Sequence, residues 1–148
     1  MVVFGNLAAV AAMHGGFKGL GDPHAFYAVP FFAIQGFAIL VALAVIWRGR
    51  AEAHKRLMLL ATIVIVEAAF ARIELAPIAA GAPFSFFLGG DVLILAGMAY
   101  DRLSRGRIHK VWIWGGAAVV ASQVAKVFIS QTAAWQGFAE AVAGLWPV

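Results

Sequence analysis

The sequence predicts an all-α fold, a transmembrane helical bundle of four to five spans with a C-terminal interfacial amphipathic helix. Three observations carry that prediction. Hydrophobic residues fill 64% of the 148 positions and charged residues 12%, about half the charged share of a soluble domain. Apolar runs near the roughly 20 residues a span needs recur along the chain. Arg48, Arg50, Lys55, Arg56, Arg102, Arg105, Arg107 and Lys110 then fall into two short segments between such runs.

Residues 1–13 are apolar but short, and no basic segment precedes them, which argues against a secretory signal peptide. A glycine-rich loop follows over 14–24. It closes on Asp22-Pro23, a residue pair suited to the N-cap and first position of a helix. The next span is expected from about Ala25 to Trp47, with Trp47 at the interface. After the basic segment 48–56, a helix is expected from Leu57 to about Ala76, ended by Pro77, Gly81 and Pro83. A further helix is expected from Phe84 to about Leu103 and a last span from Val111 to Ser130. Beyond it, Trp135, Phe138, Val142, Leu145 and Trp146 recur near helical spacing, opposite Gln136 and Glu140. That pattern suits a helix lying on the membrane surface. One domain covers residues 1–148, and no internal repeat is evident.

The net charge is +4 and the isoelectric point near 10. In a soluble protein such a balance points to nucleic acid, but here the cations sit between apolar runs. The predicted partner is therefore the lipid bilayer, with no nucleic acid. Two spans separate the basic segments, so both lie on one side, and the positive-inside rule makes that side the cytoplasm. The absence of cysteine excludes disulfides, thiolate metal sites and iron–sulfur clusters.

Two stretches carry a resemblance. The run His54-Lys55-Arg56-Leu57-Met58-Leu59-Leu60-Ala61-Thr62, with Arg72 further along, and the later Gly106-Arg107-Ile108-His109 resemble a family of uncharacterised bacterial multi-pass inner-membrane proteins. The likeness covers about residues 20–138. It implies a bacterial inner-membrane location and an architecture rather than an activity. Family members carry further spans upstream, so the resemblance makes the short first segment the remnant of a longer amino-terminal region. The chain departs from the family pattern at Lys110, where proline is usual, and at Lys126, where arginine is usual.

Ionisable residues inside a span cost about 3 kcal/mol on insertion scales and mark sites by default. Five are expected here: Glu67, Arg72, Glu74, Asp91 and Lys126. Counting helical rise, Glu67 comes about 15 Å from the cytoplasmic end and Arg72 about 22 Å. Arg72, Glu74, Asp91 and Lys126 are expected to form a charge cluster in the outer half of the bilayer. Arg72 with Asp91 is the first pair, and Lys126 with Glu74 or Asp91 the second. Glu67 is expected below them, with Gln35 and Gln123 as partners. His54 and His109 each open a helix on the cytoplasmic side, and two such imidazoles could hold haem b between parallel helices. Serines lack a nucleophile-elbow context, so hydrolase chemistry has no support.

These observations favour a non-catalytic accessory subunit or small binding bundle, associated with other membrane subunits or with itself. The alternative is a haem- or quinone-linked electron-transfer protein using His54 and His109. A third reading is an ion- or proton-coupled carrier centred on Glu67 and Asp91.

Overall fold

A computed structural model describes residues 2–14, 22–70 and 84–145. Among them the chain is all-α, with helices α1 (Val2–His14), α2 (Pro23–Ile46), α3 (Ala51–Phe70), α4 (Leu88–Arg105), α5 (Lys110–Ser130) and α6 (Ala133–Gly144), and a 3₁₀ turn at Phe84–Phe86.

The caps explain several boundaries. Asp22 accepts from the His24 backbone N–H at 3.0 Å, with Pro23 in the first position of α2. His109 caps α5 and Thr132 caps α6, each accepting a first-turn N–H through its side chain. One boundary differs from expectation. The helix expected from Leu57 starts at Ala51, so His54, Lys55 and Arg56 lie on its first turns rather than in a loop. Glu52 supplies the reason. It pairs with Lys55 three residues on and Arg56 four residues on, the spacings that place side chains on one helix face.

Helix α3 packs against α2, α4 and α5 and so occupies the middle of the bundle. Leu60, Ile63 and Val64 of α3 meet Ala33 of α2, Ile94 of α4, and Trp112 and Val119 of α5 in the central core. Trp112 fits there because Gly97 faces it: a Cβ at Gly97 would come 2.3 Å from the indole ring. A second cluster joins Ala9 and Val10 of α1, Tyr27 and Ala28 of α2, and Trp135 and Ala139 of α6. The expected C-terminal helix is present, but its buried face is Trp135 and Ala139, while Phe138 and Leu145 of the expected apolar face are exposed. The expected Trp146 lies outside the described residues.

Among the described residues two helices, α2 and α5, are long and apolar enough to cross a membrane. Helix α1 has 13 residues, a rise of about 20 Å against a hydrocarbon core of roughly 30 Å. Helices α3 and α4 interrupt their apolar runs with charge, through Glu52, Lys55, Arg56 and Glu67 in one and Asp91, Asp101, Arg102 and Arg105 in the other.

Candidate functional site

Buried polar side chains gather in two places. The first lies where α3, α4 and α5 meet. Leu60 of α3 sits against Gly115 of α5, and since both helices rise alike, Glu67 comes level with Gln123 two turns later. The Gln123 amide donates to Glu67 Oε1 at 2.9 Å and to Asp91 Oδ1 at 3.0 Å. Lys126 stands one turn further along the same face of α5. Its flexible stem reaches back, placing Nζ 3.1 Å from Glu67 Oε2 and 5.4 Å from the Phe87 ring centre. Glu67 has no exposed surface and Lys126 is 3% exposed. Gly90 makes room for the carboxylate, since a Cβ there would stand 3.0 Å from Glu67 Cγ.

This grouping differs from the expected one. Lys126 takes Glu67 as its ion-pair partner rather than Asp91, because the Leu60–Gly115 contact sets the relative level of the two helices. Counting each helix from its own start missed that contact. Gln123 is a partner of Glu67 as expected, whereas Gln35 bonds Asn6 of α1 at 3.4 Å. Arg72 and Glu74 lie outside the described residues, and with them the expected Arg72–Asp91 pair.

The second place is the end of the bundle that holds the basic segments. Arg56 is 2% exposed and makes a two-pronged contact with Asp101. Its Nε donates to Oδ2 at 2.7 Å and its Nη2 to Oδ1, the fork geometry that guanidinium and carboxylate share. Arg56 Nη1 also donates to the Glu52 backbone oxygen and to Oε2, both at 2.7 Å. Asp101 Oδ2 takes the His109 backbone N–H at 3.2 Å, tying the α4–α5 turn to α3. The Arg56 guanidinium holds the Asp101 carboxyl below the usual carboxylate range. Arg56 and then Lys55 bring Glu52 down to about 2. Asp101 is not among the site residues expected from the sequence, which sets it beside the second basic segment. The available signal was a lone carboxylate among the cations of residues 101–110.

The two histidines are used differently. His54 Nδ1 donates to the Ala44 carbonyl of α2 at 2.8 Å. His109 Nδ1 accepts from the Val111 N–H at 3.2 Å, capping α5. Burial, and then the nearby Arg56 charge, pushes the His109 pKa down, which suits an accepting, neutral ring. A neutral ring that accepts at Nδ1 carries its proton on Nε2.

A groove of about 500 Å³ between α3 and α4 is lined by Leu59, Ile63, Leu93, Gly97 and Trp112, with Lys55 and Tyr100 at its polar end. Among the described residues no three His, Asp or Glu side chains gather as a metal site, and every buried side-chain nitrogen and oxygen has a partner. No protein-family model, curated protein or solved structure matches the chain.

Proposed function

We propose that this chain is a multi-pass membrane protein of the inner membrane whose bundle serves as a non-catalytic accessory subunit within a larger membrane assembly. In this reading α2 to α5 all cross, with residues 47–56 and 101–110 at their cytoplasmic ends and α6 lying at the opposite interface.

The observation that carries it is the inverted distribution of polarity. Glu67, Gln123 and Lys126 are buried, while Leu88, Val92 and Leu95 of α4 and Trp114 and Phe128 of α5 are 60% to 75% exposed. Outward apolar surface of this extent suits lipid or a neighbouring subunit. Glu67 and Arg56 of α3 and Asp101 of α4 are spent on buried partners, which lowers the insertion cost of those two helices. Such closed pairs fix helix register.

The haem alternative needs an available ring nitrogen on both His54 and His109. His54 fits, since donation from Nδ1 leaves Nε2 as acceptor. His109 does not, because its cap places the proton on the atom that would bind iron.

Single cysteines at Ala51 and Ser104 test the topology. Both are expected to resist an impermeant thiol reagent in intact cells, and labelling of only one breaks the assignment. The subunit role is tested by mild solubilisation. Migration as a larger species is expected, and a bare monomer rejects it.

A further inference from the structure

The turn between α2 and α3 and the turn between α4 and α5 enclose a cavity of about 690 Å³, within the range of small-ligand sites. Arg50, Arg107 and Lys110 line it, with Trp47 and Ile108 at its apolar side. These three cations make no ion pair among the described residues, in contrast to Lys55, Arg56 and Arg105. The one carboxylate in the wall, Glu52, is already committed. Its Oε1 takes Lys55 at 2.9 Å, and its Oε2 takes Arg56 at 2.7 Å and Arg105 at 2.5 Å. The cavity therefore holds a cationic surplus that nothing in its wall neutralises.

Its position narrows the ligand. The cavity lies where the turn after α2 and the first turn of α3 face the first turn of α5, and α2 and α5 are, among the described residues, the two helices long and apolar enough to cross a membrane. Trp47 is 41% exposed beside it, as indoles are at the headgroup level. We propose that this cavity binds the phosphate-bearing headgroup of an anionic phospholipid. Arg50 and Arg107 offer forked donors to phosphate oxygens, Lys110 adds a point charge, and Trp47 with Ile108 covers the glycerol and upper acyl region. The proposal rests on the membrane reading above. It differs from general attraction of basic loops to anionic membranes in requiring these three cations and not their neighbours. Arg48 is exposed in the same turn but does not line the cavity.

The test has two stages. Membranes are first washed with carbonate. Recovery of the chain in the soluble fraction overturns the membrane reading and this site together. The protein is then purified, and native mass spectrometry counts phosphatidylglycerol and phosphatidylcholine retained from mixed nanodiscs. Phosphatidylglycerol is expected to be retained preferentially. At about fivefold per cation, the triple variant Arg50→Gln, Arg107→Gln, Lys110→Gln is expected to lose on the order of a hundredfold in affinity. Arg48→Gln is expected to leave retention unchanged. All four positions are exposed, so helical content by circular dichroism is expected to stay at the wild-type level. Equal retention of the two lipids, or equal weakening by Arg48→Gln and Arg107→Gln, overturns the site while leaving the membrane reading intact. Full displacement of the lipid by millimolar inorganic phosphate assigns the cavity to a soluble anion and likewise overturns the lipid proposal.

Discussion

Lys126 reaches back one turn along α5 to place its ammonium 3.1 Å from the Glu67 carboxylate of α3, and both side chains are closed off from the surroundings. Breaking such a pair from one side leaves a buried charge, which typically costs 3–5 kcal/mol, whereas removing both partners costs far less. Lys126→Met is therefore expected to lower stability in detergent by about 3 kcal/mol, and Glu67→Leu with Lys126→Met to recover most of it. Strictly additive losses in thermal unfolding would reject the coupling.

The Gly97–Trp112 contact predicts a size limit on α4. A Cβ at Gly97 meets the indole at 2.3 Å, so Gly97→Ala forces the ring or the helix to shift, at about 1–3 kcal/mol. Trp112→Leu in the same background is expected to relieve the clash. A midpoint for Gly97→Ala equal to that of the wild type contradicts the packing.

His109 predicts a pH dependence near neutrality. Its pKa is lowered in the fold, by burial first and then by Arg56, with Asp101, Glu52 and Arg105 also facing it. A lowered pKa means that the stabilisation is complete above the unfolded value of about 6.5 and is lost as pH falls below it. The cap at stake is worth about 1 kcal/mol. Stability is expected to decline between pH 7.5 and 5, and His109→Asn, a capping residue that does not titrate, is expected to flatten the slope. Asp101 is lowered too, so its contribution persists until about pH 4 and is lost only below that. Identical slopes for wild type and His109→Asn would remove His109 from this role.

The cap also predicts the colour of the protein. With His109 engaged at Val111, protein purified from haem-replete cells is expected to show no Soret band. A band lost in both His54→Ala and His109→Ala would restore the electron-transfer reading.

Much of the fold was legible because apolar runs and breakers mark elements directly. Asp22-Pro23 announced the start of α2. The start of α3 was read late, since a basic cluster looks like a loop until Glu52 is seen to pair with Lys55 and Arg56 on one face. Individual site residues were legible as charges in apolar surroundings, hence Glu67, Asp91 and Lys126. Their pairing was not, because it depends on the level at which α3 meets α5. That level is set by Leu60 filling the space beside Gly115, a contact 55 positions apart that no local pattern encodes. The Arg56–Asp101 fork was missed for the same reason.

The clasp between α6 and α2 bears on how the chain is made. Trp135 Nε1 donates to the His24 carbonyl at 2.9 Å across 111 residues, and Gln136 reaches Asp22 at 2.8 Å across 114. At ribosomal speeds of about 5–20 residues per second, the start of α2 waits on the order of ten seconds for its final partner. Throughout that interval Tyr27, which stacks on Trp135, and Phe31, which meets it edge-on, lack this contact, and the partner already made is α1, whose Ala9 and Val10 share the same cluster.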